Sequence, residues 1–165
     1  MQAENSVDRS RESRCIAVRI RDGLYGLMVE EVQEVIGMRP VTKVFHSADA
    51  IHGVTSLRGE VLPVIDVGVL LGGEPASAAS QSARIVVVRE PGERRRRAGL
   101  LIDALGGLRE LPQGGLSEVP STASEAVREL VVGVIATPPP CSVLSTSAVF
   151  DAPVLAAFSG EGSDE

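Results

Sequence analysis

The stretch Ile51–Asp66, read IHGVTSLRGEVLPVID, constrains the fold more than any other. It is two apolar runs folded back on each other around Arg58-Gly59-Glu60, where the glycine gives the backbone freedom to reverse. Val61, Leu62, Val64 and Ile65 follow one another with little alternation, which predicts a strand buried on both faces. Pro63 lies inside that run and predicts an edge or a bulge beside it. A guanidinium at the tip of a stiff hairpin is placed to present a contact.

The rest of the chain reads mostly as short strands. Cys15–Ile20 alternates apolar and polar, Asp22-Gly23 signals a two-residue turn, and Leu24–Met28 returns as a second strand. From Val29 to Ile36 the apolar residues recur at three- and four-residue intervals. That spacing predicts a short helix with Val29, Val32 and Ile36 on one stripe and Glu30, Glu31 and Glu34 toward water. Residues 41–45 read as a short strand, and 66–71 as a single helical turn. Residues 74–82, rich in Ala and Ser, read as a flexible surface connection.

Strands are expected again at Ile85–Val88, Leu100–Ile102, Leu130–Ile135 and Ser142–Ser145, with a charged hairpin tip at Glu93–Arg97. Thr137-Pro138-Pro139-Pro140 reads as a stiff polyproline II connection, and Ala148–Phe158 as a terminal helix broken at Pro153. Residues 1–13 form a polar lead without periodicity, 14–158 the ordered domain, and 159–165 an acidic tail. Nine or ten short strands with one or two short helices make this an all-β architecture of small barrels.

Composition excludes several functions. Aromatics are 2% of the 165 residues and Trp is absent, which disfavours base stacking, and a net charge of -6 disfavours a phosphate-binding surface. Cys15 and Cys141 show no metal-ligand spacing; they read as free buried thiols, a single long-range disulfide being the alternative. His46 and His52 have no carboxylate or Cys at ligand spacing. No nucleophilic triad, phosphate-cradling glycine loop or paired-carboxylate motif stands out, so no catalytic residue, cofactor site or metal site is expected. No apolar run approaches the roughly 18 residues that a bilayer requires, and no secretory leader follows Met1. The expected location is the cytoplasm.

Four segments in order carry a resemblance. Gly53-Val54-Thr55-Ser56-Leu57-Arg58-Gly59 with Val61-Leu62-Pro63-Val64-Ile65-Asp66 resembles the signature of CheW-like domains, the chemotaxis coupling proteins. Tyr25-Gly26-Leu27 leading to Val32-Gln33-Glu34-Val35, Arg84–Val88, and Gly99–Asp103 resemble further segments of that family. The resemblance implies two five-stranded SH3-like barrels sharing one hydrophobic core. It implies a non-catalytic adaptor between the tip of a methyl-accepting chemoreceptor and the regulatory domain of a sensor histidine kinase, clustered with receptors and able to assemble into rings or arrays. By position, Glu34 and Arg58 match an acid–base pair beside the receptor groove, and Val29, Val32 and Gly53 match residues lining it.

Ser56 stands where the family usually has Asn, and His52 where a basic residue is frequent. The triple proline and the short polar run after it depart further, and predict a missing or weakened strand at one barrel edge. That departure motivates an alternative, an adaptor that binds receptor but not kinase. Arg94-Arg95-Arg96-Arg97 motivates another, a nucleic-acid or membrane-surface binder, against which stands the simpler reading of a solvated turn.

Overall fold

The computed structural model describes residues 14–76 and 80–155. The polar lead, the acidic tail and the middle of the Ala/Ser-rich connection therefore lie outside the described residues. Ten strands are present: β1 Arg14–Ile20, β2 Gly23–Met28, β3 Val32–Gly37, β4 Ile51–Leu57 and β5 Glu60–Asp66, then β6 Arg84–Arg89, β7 Arg97–Ile102, β8 Ala104–Glu110, β9 Val131–Ile135 and β10 Cys141–Leu144. Among the described residues three short α-helices accompany them: α1 Val67–Leu70, α2 Glu125–Leu130 and, after the last strand, α3 Thr146–Asp151. The strands form two five-stranded sheets of order β8-β1-β2-β10-β9 and β3-β6-β7-β5-β4.

That order shows an internal duplication with exchanged halves. Strands β1–β5 and β6–β10 are parallel series, and each sheet takes the first two strands of one series and the last three of the other. The likeness reaches individual residues. β3 pairs with β6 through Val32↔Val88 and then Glu34↔Val87, leaving Gln33 as an extra residue. β8 pairs with β1 through Leu105↔Val18 and then Gly107↔Ala17, leaving Gly106 extra at the same place. Each sheet curls until its edges nearly meet. The meeting is made by an isolated bridge, Thr42↔Val54 in one sheet and Ser117↔Val134 in the other.

A glycine permits each approach. A Cβ on Gly53 would lie 2.5 Å from the Thr42 carbonyl oxygen, and one on Gly133 would lie 2.6 Å from Cβ of Leu116. Alternation then sorts the apolar residues. Leu62, Val64, Ile85, Val87 and Leu101 fill the second barrel, while Cys15, Ala17, Ile135, Cys141 and Val143 fill the first. Residues of the opposite parity, among them Val18, Ile20, Ile65, Val86, Leu100 and Leu144, form the core between the barrels. Central strands are apolar on both faces because one face looks into a barrel and the other into the shared core.

Five expectations need correction. Residues 29–36 are not a helix: only Val29–Glu31 form a single 3-10 turn, and Val32–Gly37 is strand. The bulge at Gln33 breaks the two-residue alternation and leaves Val35 pointing outward at 37% exposure, which imitates a helical spacing. β-branched Val32, Val35 and Ile36 suit the strand better. Residues 41–45 make only the Thr42 bridge and then a turn.

The hairpin's second strand is not buried throughout, because Val61 near its tip is 73% exposed. β5 is interior, between β4 and β7, but its pairing with β7 spans Val64–Asp66, so Pro63 needs a partner on one side only. The triple proline is a bend with a cis Pro138–Pro139 bond, not an extended rod. Arg109 clamps it by donating to the Thr137 and Pro139 carbonyls at 2.9 and 2.8 Å. The strand beyond it is neither missing nor weakened: β10 lies between β2 and β9, with Cys141, Val143 and Leu144 buried.

Candidate functional site

The tip of the β4–β5 hairpin is a two-residue reversal in which both residues take positive φ, Arg58 at 50° and Gly59 at 82°. Gly and Asn favour such positions; an arginine there is held against its backbone preference. What holds it is visible. Arg58 Nη2 donates to Glu34 Oε2 at 2.8 Å, joining the tip to edge strand β3 across the barrel seam. On the other side of the tip Glu60 pairs with Arg97 of β7. The Arg58 side chain is 68% exposed and that of Glu34 23%. Oε1 of Glu34 is buried and has no hydrogen-bond partner among the described residues.

The other expected residues spread along the same barrel. Val32 is half-buried at the start of β3 and packs on the shared core, while Val29 opens the 3-10 turn just before it. Gly53 is buried in β4 beneath Val41 and Thr42. The structure thus joins Glu34 to Arg58 directly, sets Val29 and Val32 beside Glu34 along the chain, and seats Gly53 under the seam. Thr55 Oγ1 donates to the Pro40 carbonyl at 2.9 Å, and Arg39 donates to the Ser56 carbonyl at 3.1 Å, so the seam is stitched from Gly53 to the tip.

Glu31, expected in water, is half-buried. Burial pushes its carboxyl pKa up, the Thr146 hydroxyl of α3 opposes that rise, and Glu30 adds to it. Cys15 and Cys141 are free thiols, both buried, and meet where Gly26 carries no side chain. The hydrogen bond between them raises the Cys15 thiol and lowers that of Cys141. Among the described residues no group of His, Cys, Asp and Glu could hold a metal ion.

Two charged clusters are not announced by any sequence motif. Arg21, in the β1–β2 turn, sends Nη2 to both carboxylate oxygens of Asp66 at 2.9 Å, and also donates to the Glu74 carbonyl at 2.8 Å. The Asp66 side chain is 2% exposed and accepts Ala76 N–H as well. A Cβ on Gly68 would lie 2.7 Å from the guanidinium carbon, so that glycine makes room for the arginine. In the other cluster Arg96 grips Glu90 through two bonds of 2.7 and 2.9 Å and lies 5.5 Å over the Phe150 ring. Arg96 holds the Glu90 carboxyl below the usual range. The four-arginine tip is therefore not a uniform solvated turn: Arg96 and Arg97 are engaged within the protein, and only Arg94 and Arg95 are exposed.

The seam, the swapped sheets and the charged hairpin tip can be set beside known proteins. The CheW-like domain family matches residues 14–153. A probable chemotaxis protein CheW of Rhizobium etli is 32% identical over 121 residues, covering 73% of this chain and 76% of the relative. The chain belongs to the CheW-like family. The chemotaxis protein CheW of Rhizobium meliloti is 31% identical over the same shares of both chains. The crystal structure of the scaffolding protein TtCheW from Thermoanaerobacter tengcongensis superposes with a TM-score of 0.74 at 24% identity, covering 87% of this chain and 90% of that one. That likeness shows the fold, two SH3-like five-stranded units. CheW-like proteins are non-catalytic scaffolds of chemotaxis, and this chain is a coupling adaptor rather than an enzyme.

Proposed function

We propose that this CheW-like adaptor bridges the cytoplasmic tip of a methyl-accepting chemoreceptor and the regulatory domain of a sensor histidine kinase. In this reading it works in the cytoplasm among clustered receptors and packs into rings or arrays. The receptor docks on the rim formed by Glu34 and Arg58, with Val29, Val32 and Gly53 along its floor. One observation carries this: an arginine kept in a left-handed turn by a 2.8 Å ion pair across the barrel seam. An exposed pair of this kind contributes only about 0–1 kcal/mol to stability, so folding alone gives little reason to retain the strain. Orientation of a docked helix gives a better one, with apolar anchors supplying affinity and charges fixing register.

Receptor binding without kinase binding has lost its motive, since β10 is a buried interior strand. Binding of nucleic acid or membrane through residues 94–97 retains two exposed guanidiniums of the four. Titration of the protein against a receptor cytoplasmic hairpin and, separately, a kinase regulatory domain tests the proposal. Binding to both is expected; binding to neither would end it.

A further inference from the structure

Phe45 is 88% exposed, whereas Tyr25 is half-buried and Phe150 is buried. A lone exposed apolar side chain requires no explanation. The turn that presents it does. Phe45 and His46 are the central residues of a reversal closed by Ser47, whose backbone N–H and hydroxyl both donate to the Val44 carbonyl, at 3.4 and 2.7 Å. His46 takes φ 62°, a left-handed conformation unfavourable for a residue with a Cβ. A locked turn with an unfavourable backbone thus lifts one of the few aromatic rings into solvent.

The position of this turn continues the docking rim. β4 ends its sheet, and the segment through Thr42 runs beside it in the opposite direction, so Phe45 lies near the start of β4 and Arg58 at its end. An open cleft of about 490 Å³ lies beside β4 between them, lined by Arg39, Pro40, Thr42, Val54 and the outward Val61 among others. Its lining includes one cation and no carboxylate. Lys43 stands two residues before Phe45 and His46 directly after it, with Asp49 the acidic side chain of the same loop. Seven strand residues at about 3.4 Å each span the length of roughly four helical turns.

We propose that Phe45 is the apolar anchor at the far end of a docking surface that begins at Arg58, and that the surface takes an amphipathic helix of about four turns with acidic residues flanking its apolar stripe. This rests on the reading that the Glu34–Arg58 rim docks a receptor helix, and it adds a second contact and the chemistry of the partner.

The chain has no Trp, so Phe45→Trp places a single reporter at the anchor. The probe is a Trp-free cytoplasmic hairpin of a chemoreceptor encoded in the same genome. On titration the emission of Phe45→Trp shifts to the blue, and adding Arg58→Glu abolishes the shift. Phe45→Ala weakens calorimetric affinity by about tenfold or more, as loss of a buried aromatic anchor does, with an unchanged melting temperature. If Phe45→Ala binds the hairpin with wild-type affinity and the Trp emission stays fixed, the anchor is refuted while the rim stands. If the wild-type protein does not bind the hairpin at all, both are refuted.

Discussion

Arg58 occupies a backbone position that suits Asn or Gly better than itself, and under the proposed docking role that mismatch separates folding from binding. Arg58→Asn relieves left-handed strain of about 1 kcal/mol and removes an exposed ion pair of similar or smaller size. Its melting temperature therefore stays within a few degrees of wild type or rises, while receptor affinity falls; calorimetry of both quantities checks it. Asp66 behaves in the opposite way. Its carboxylate is buried and compensated by Arg21, and Arg21→Ala leaves that charge without its partner. We expect a loss of about 3 kcal/mol, measurable by urea unfolding. Glu31 adds a pH dependence. Its folded pKa is raised, so the protonated form is favoured, and stability present at acid pH is lost as pH rises through the folded pKa. Glu31→Gln removes that loss: its melting temperature exceeds that of wild type at neutral pH, and the gap closes as pH falls below about 4.5.

The duplication makes a prediction about glycines at the scale of strands. Gly53 in β4 and Gly133 in β9 occupy matching places under matching bridges, and a Cβ on either collides with the chain that crosses it. Gly53→Ala and Gly133→Ala should each destabilise by about 1–3 kcal/mol through overpacking, whereas Gly37→Ala, with nothing within 4 Å, should not; thermal melts of the three variants decide it. Much of the element pattern was legible. The β4–β5 hairpin, the paired runs at Ile85–Val88 and Leu100–Ile102, and the total of nine or ten strands all followed from apolar runs and turn residues. β3 was illegible because a bulge at Gln33 hides its alternation, and a bulge is specified by pairing with β6, a strand some fifty residues away in sequence. The ion pair at the tip was reached through resemblance; nothing in the spacing of Glu34 and Arg58 announces it. The Arg21–Asp66 pair has no local sequence signal beyond one: Asp66 ends an apolar strand, where a charge needs a buried partner.

At the scale of the molecule, exchanged halves give a core that belongs to neither barrel. Ile65 packs there while Val64 of the same strand faces the barrel interior, so β5 stabilises both compartments at once. Ile65→Ala and Val64→Ala should each cost about 2–4 kcal/mol and unfold both barrels in one transition, read by near-ultraviolet circular dichroism of Tyr25 and by hydrogen exchange across both sheets. A single cooperative body suits the proposed role of holding two partners in fixed relation. The most direct test of that account is charge reversal at the hairpin tip. Arg58→Glu, titrated by calorimetry against a receptor hairpin and against a kinase regulatory domain, should lose about tenfold or more of its receptor affinity. Kinase affinity and melting temperature should remain those of wild type. Undiminished receptor binding, or a variant that no longer folds, would contradict the account.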